Sequence, residues 1–322
     1  MTIESIKALV AEELLQVNQL IHQEIAFQHP FVGELTQNLL QGGGKQLRPL
    51  IVLLVSHALN YQGHDHIKLA SVLEFFHTAS LLHDDVIDES SLRRGQKTAH
   101  EIWGNQASVL VGDYLFILHH QILLSLKNFD MLELMVNIER KIGYGELMQL
   151  MNRHQAHVQR EDYFAIIEAK TSLLFAAAAK LPALLCHQPS NISDALFEFG
   201  RHLGNAFQLI DDALDYCSDA QTIGKNIGDD LADGKLTLPL IHALSQTQGE
   251  EKTLIEQSLQ NGSIEHLEKI MTIISETKAI EYTQMLAHQE AEKAKQALAF
   301  LPSSPYKNAL MAIADYSILR NH

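Results

Sequence analysis

Apolar residues recur at three- and four-residue spacing along nearly the whole chain, the period of an amphipathic α-helix. Strict apolar–polar alternation is scarce, and Leu, Ala, Ile, Glu and Gln dominate, a composition that suits helix. The pattern predicts helices near residues 3–24, 46–60, 66–88, 105–127, 129–151, 161–181, 191–217, 236–247, 263–276, 278–299 and 304–319. Prolines 49, 182, 189, 302 and 305 fall near expected helix edges. Breaks are expected at Gly42–Gly44, Ser90–Gly95 and Thr222–Lys235. No stretch has the composition of a linker, so residues 1–322 read as a single all-α domain.

Two predicted helices carry polar stripes on otherwise apolar cylinders. IKLASVLEFFHTASLLHDDVID is apolar nearly all round, the mark of a helix buried in a bundle. At about 100° per residue, Glu74, His77, Asp84, Asp85 and Asp88 nevertheless share one arc. In GRHLGNAFQLIDDALDY, Gly204, Gln208, Asp211 and Asp215 share another, with Gly204 leaving room beside it. Buried charge without compensation is very costly, so such stripes must meet solvent, ions or a ligand. Two of them describe a cavity with an acidic rim.

The candidate chemistry follows from DDVID (Asp84–Asp88) and DDALD (Asp211–Asp215). Each sets two carboxylates four residues apart, one helical turn, pointing the same way. One such pair reads equally well as a solvated acidic helix end or as a metal site. A second copy inside a second apolar helix favours metal, and oxygen-only ligands suit Mg2+ holding a substrate phosphate. The motifs lack the alternating ligands and central glycine of a calcium loop, and paired Glu-x-x-His motifs of a di-iron bundle are missing. Candidate anion-binding cations are Lys45 and Arg48 after the glycine triplet, Arg93 and Arg94 after DDVID, and Lys225 and Lys235 in the loop after DDALD. Each also reads as an ordinary surface cation. Lys170–Thr171 in a bland helix reads by itself as surface, and His77 reads as core or ligand.

Composition narrows the field. A chain of 322 residues, 46% hydrophobic, can bury a large core. A net charge of −15 argues against nucleic acid and against docking on anionic lipid. Two cysteines make a disulfide framework improbable and point to a reducing cytoplasm. The start MTIESIKALVAEELL lacks a secretory pattern, and no window holds 18 continuous apolar residues, so no membrane span is expected. The 18 histidines are scattered without repeated metal-ligand spacing.

The ordered set GGGKQLRP, EFFHTASLLHDDVIDESSLRRG, GELMQL, AKTSLLF, GNAFQLIDDALDY and GKNIGDDLADGKLTLPL resembles the trans-polyprenyl diphosphate synthases. Within that family the likeness is to bacterial members that make octaprenyl diphosphate for the ubiquinone side chain. Gln46 and Leu236 depart from residues usual there. The resemblance implies an isoprenoid synthase-type helical bundle around a deep central apolar cavity, forming a homodimer. It implies Mg2+ on Asp84, Asp88, Asp211 and Asp215. It places Arg93, Lys170, Thr171, Gln208, Lys225 and Lys235 on an allylic diphosphate, and Lys45, Arg48, His77 and Arg94 on isopentenyl diphosphate. Family members with short products tend to carry an aromatic one turn before the first motif. Ala79 and Ser80 stand there, implying an open tunnel and a long product, with Phe116, Leu123 and Met135 as candidates for its floor. A shorter-chain (farnesyl or geranylgeranyl) synthase and a non-catalytic partner subunit are the alternatives. Intact acidic and basic motifs speak against the second. A terpene cyclase would not need the Lys45/Arg48 site.

Overall fold

The computed structural model describes residues 1–26, 30–41, 45–93, 95–217 and 227–319. The glycine triplet 42–44, Arg94 and Lys225 lie outside the described residues.

The chain folds as two compact units, and among the described residues both are helical apart from one short hairpin in the first. The first comprises residues 1–135, 177–197 and 300–312; the second comprises 136–176, 198–299 and 313–322. In chain order the elements are α1 (Ile3–Ala8), α2 (Ala11–Ala26), α3 (Pro30–Gln41), α4 (Leu47–Ala58), α5 (Asp65–Ile87), β1 (Leu92–Arg93), β2 (Gln96–Lys97), α6 (Ala99–Trp103), α7 (Asn105–Ser125) and α8 (Phe129–Asn152). Then come α9 (Arg160–Ile167), a π-helical turn (Glu168–Ser172), α10 (Leu173–Leu185), α11 (Ser190–Leu214), α12 (Asp229–Ala232), α13 (Leu238–Gln246), α14 (Gly249–Asn261), α15 (Leu267–Glu276), α16 (Ala279–Ala297) and α17 (Pro305–Ile318).

In the first unit α5 is the central helix, packed against α2, α4 and α7. Its apolar girth explains this: Leu69, Val72, Leu73, Phe75, Phe76 and Leu82 are all buried. In the second unit α13 packs against α9, α14, α15 and α16. One core there joins Tyr216, Leu231, Leu236, Leu240, Ile255 and Ile270. Another joins Tyr163, Ile167, Leu209, Ile210, Leu238 and Ala287.

Several elements depart from the sequence expectation. The first predicted helix is broken into α1 and α2. Helices α3, α6, α12 and α14 were not expected. α14 is polar, but Glu250 and Glu251 in its first turn supply a start signal and Gly262, left-handed at its end, a stop signal. The expected break at Ser90–Gly95 holds an antiparallel hairpin pairing Leu92 with Lys97 and Arg93 with Gln96. Gly95 has φ +76° there, a conformation glycine enters without steric cost. Pro182 lies inside α10 rather than at an edge, close enough to the end that little helix follows it.

α7 is long and apolar enough to cross a bilayer by length and composition alone, but nearly half of it is buried within the protein. Its buried residues include Val111, Leu115, Leu118, Ile122 and Leu123, as expected of a core helix. Neither cysteine is in a disulfide.

Candidate active site

Both acidic motifs sit at the carboxyl end of their helix. In the first, the Asp88 N–H donates to the Asp84 carbonyl at 2.8 Å, so the two carboxylates follow each other by one turn. In the second, the Asp215 N–H donates to the Asp211 carbonyl at 3.2 Å. This is the negative end of the helix dipole, where carboxylates are disfavoured, and neither last turn contains a basic residue. A hard cation would relieve that cost. All-oxygen donor sets at these positions fit a divalent ion such as Mg2+.

The middle aspartates play a different part, which the sequence reading did not separate. Asp85 is fully buried. Arg93, on β1, donates to its Oδ1 from Nε at 2.8 Å and from Nη2 at 2.7 Å. The Asp85 Oδ2 is enclosed with no protein partner. Arg93 thus reaches the acidic helix end, fixed by the residue next to Asp84.

The buried Asp212 accepts from Tyr163 Oη at 2.5 Å and from Gln208 Nε2 at 2.8 Å. Burial, then the nearby Asp230 carboxylate, pushes its pKa up to about 7. Thr171 Oγ1 donates to Gln208 Oε1 at 2.7 Å, so two expected diphosphate ligands are joined to the second motif through Asp212. Asp215 is buried as well, and its Oδ2 accepts the Asp230 N–H at 3.2 Å.

Lys170 and Thr171 sit on the π-helical turn. Such single turns inserted in α-helix are frequent at functional sites because the extra residue re-aims its side chains. Lys170 Nζ is held by Glu146 Oε2 at 3.0 Å and Gln149 Oε1 at 2.8 Å. Both partners lie in the GELMQL segment, three residues apart on one face of α8, and no role had been assigned to them. Gly145 makes this possible: an added Cβ would stand 2.5 Å from Ala169 Cβ. Gly204 does not leave open room. A Cβ there would stand 2.4 Å from Ser172 Cα, so the glycine admits the neighbouring backbone itself. Lys235 pairs with Asp233 at 2.9 Å.

In the first unit, Arg48 projects from α4 close enough to α5 to feel the Glu74 carboxylate. Burial pushes its pKa down to about 10 and Glu74 opposes that, leaving it cationic at neutral pH. Gln46, one of the departures noted above, takes a left-handed conformation at φ 51° before α4 and donates to Asn18 Oδ1 at 2.8 Å. Lys45 and His77 are half-buried, and the His77 carbonyl accepts from Ser80 Oγ at 2.9 Å.

The polyprenyl synthetase profile matches residues 29–276. The chain belongs to the polyprenyl synthetase family. It is 40% identical over 323 residues to an octaprenyl diphosphate synthase of Haemophilus influenzae, covering 100% of this chain and 98% of the relative. It is 41% identical to an all-trans-nonaprenyl-diphosphate synthase (geranyl-diphosphate specific) of Rhodobacter capsulatus, covering 98% of each. A crystal structure of a polyprenyl synthase from Caulobacter crescentus, complexed with calcium and isoprenyl diphosphate, superposes with TM-score 0.95 at 37% identity over 100% of this chain and 98% of that one. The fold is therefore the all-α isoprenoid synthase fold, and this polyprenyl synthetase is a prenyltransferase of the long-chain class.

The expected chain-length positions of this polyprenyl synthetase divide by burial. Ala79, Leu123 and Met135 are buried, with Ala79 at 0% exposure, so Ala79 offers no surface to a lumen. Ser80, next to it, is half-buried. Phe116 packs edge-on against Phe76, ring centroids 5.1 Å apart, and tilts against His83 at 5.5 Å.

Proposed function

We propose that this polyprenyl synthetase condenses isopentenyl diphosphate onto an allylic diphosphate, farnesyl diphosphate as primer, in repeated head-to-tail steps to octaprenyl diphosphate, the ubiquinone side chain. The observation that carries this is the pair of acidic helix ends, each with two carboxylates one turn apart and a fixed cation or polar relay beside it. Asp84, Asp88, Asp211 and Asp215 would hold Mg2+. The ion supplies charge neutralisation for a departing diphosphate.

The chain's own groups do the rest. Arg93, Lys170 and Lys235, with Lys225, neutralise the allylic diphosphate, and Thr171 and Gln208 orient it. Lys45, Arg48, His77 and Arg94 hold the second diphosphate. When the allylic C–O bond breaks, the electron pair leaves with the diphosphate and an allylic cation remains. The double bond of isopentenyl diphosphate attacks that cation, forming the new C–C bond. A proton is then lost to the released diphosphate. Apolar walls exclude water, which would otherwise capture the cation. No side-chain nucleophile is required.

The whole chain is proposed to act as one catalytic domain, in the cytoplasm and as a homodimer. Leu110, Ile117 and Leu124 support the dimer: they recur every seven residues on α7 and are each more than half exposed. An apolar stripe of that kind on a helix is typical of an interface. Tyr144, Leu147, Leu150 and Met151 on α8 are exposed too.

The test uses purified full-length protein with isopentenyl diphosphate, farnesyl diphosphate and Mg2+, with products sized by chromatography. Octaprenyl product is expected, stopped by a chelator and restored by excess Mg2+. Asp84→Ala should lose turnover by about a thousandfold or more while keeping its helical circular dichroism. Turnover indifferent to the chelator, or full activity in Asp84→Ala, overturns the proposal.

A further inference from the structure

A second group of ligand-type side chains lies in the first unit, apart from the acidic motifs in sequence and in chemistry. Glu13 on α2, His57 in the last turn of α4 and His66 in the first turn of α5 each offer one ligand atom, all within 4.8 Å of one another. His57 Nε2 donates to Glu13 Oε1 at 2.8 Å. His66 is buried, with 7% exposure, and its Nδ1 has no hydrogen-bond partner. An enclosed nitrogen left this way has given up its hydrogen bond to water without a replacement, so a native protein has reason to fill the position.

Both imidazoles are held in place by rings. Tyr306 stacks on His57 with centroids 4.6 Å apart and planes 12° from parallel. Tyr61 meets His66 edge-on at 5.5 Å. Ligands fixed by packing lose little entropy when they bind an ion.

We propose that Glu13, His57 and His66 form a binding site for a transition-metal cation of the zinc class, distinct from the acidic motifs. Two imidazoles and one carboxylate suit Zn2+, Co2+ or Ni2+, whereas the all-oxygen motifs suit Mg2+. Ligands about 2.1 Å from a tetrahedral ion stand about 3.4 Å from one another. No pair must therefore close by more than roughly 1.4 Å, and the Glu13–His57 pair, now at 2.8 Å, must open by about 0.6 Å, within reach of side-chain rotation. The fourth position is left to water. The ion would tie α2 to the α4–α5 corner and so stabilise the fold without entering the reaction.

Zinc is titrated into full-length protein by competition with a chromophoric chelator, with Mg2+ in excess to occupy the oxygen-only motifs. One high-affinity Zn2+ per chain is expected, and Co2+ in its place should give the strong visible bands of a four-coordinate site with nitrogen ligands. His66→Phe, which fills the volume, and Glu13→Gln, which retains a hydrogen-bond acceptor for His57, should each weaken Zn2+ roughly tenfold or more. Both variants should keep their helical circular dichroism and prenyl transfer. Absence of a high-affinity equivalent, zinc uptake unchanged in either variant, or a Co2+ spectrum without nitrogen ligation overturns the proposal. Because the readout is zinc binding with Mg2+ present, its failure leaves the assigned reaction untouched.

Discussion

Replacing Gly204 with alanine tests how the second unit positions Thr171 and Gln208. Glycine inside a helix normally costs about 0.5–1 kcal/mol relative to alanine, so Gly→Ala in α11 should stabilise if space were the only concern. The structure reverses the sign. The new Cβ would lie 2.4 Å from Ser172 Cα, 2.8 Å from its Cβ and 2.9 Å from its Oγ, against backbone that cannot swing aside. Moving the π-helical turn away from α11 by the roughly 1 Å needed is an overpacking change of about 1–3 kcal/mol. The same movement pulls Thr171 off Gln208, now joined at 2.7 Å, and Ser172 off Asn205, joined at 2.6 Å. For a unit of about 150 residues, each kcal/mol lowers the melting temperature by about 2–4 °C, giving a fall of several degrees. Loosened diphosphate positioning should lower kcat/KM roughly ten- to a hundredfold. Thermal melting by circular dichroism and steady-state prenyl transfer measure the two effects. An alanine variant that melts at or above the wild type with full turnover would refute the close-approach reasoning.

Three more outcomes are expected. Glu290 is pushed up by burial but held down more strongly by hydrogen bonds from His202, Lys293 and Asn205, so its pKa is about 2 rather than 4.5. Its folded-state pKa is depressed, so its stabilisation is present above about pH 4.5 and is lost as pH falls toward 2. Glu290→Ala, leaving His202 and Asn205 unsatisfied, should cost roughly 1–3 kcal/mol and flatten the stability profile across that window, as read by urea melts at several pH values. Ser80→Phe should shorten the product by several isoprene units in the chromatographic assay, whereas Ala79→Phe, at a site with no free surface, should lose about 1–3 kcal/mol of stability; unchanged products in Ser80→Phe would refute the open-lumen reading. Ile117→Arg should shift the proposed dimer to monomer in analytical ultracentrifugation, and a sedimentation coefficient unaffected by that charge would refute an interface through α7.

The helical class, the buried girth of α5 and the two carboxylate pairs were legible in the residues, because each depends on a period of three to seven positions. Periodicity reports only what a residue shares with its near neighbours along one helix. It could not show that Arg93 pairs with Asp85, that Lys170 is held by Glu146 and Gln149, or that Asp212 is joined to Tyr163 49 positions away. Those partners are chosen by packing. Gly204 makes the same point in reverse: it was read as making space, and that space is taken by Ser172, which only the folded chain brings near. The polar helix α14 and the hairpin at residues 92–97 escaped notice because their signals lie in end residues and positive φ rather than in an apolar stripe. The sequence alone determined that this protein is helical and carries two carboxylate pairs suited to a hard cation. Which side chains hold those pairs in place was decided by tertiary contacts, since burial makes an unsatisfied charge too costly to leave without a partner.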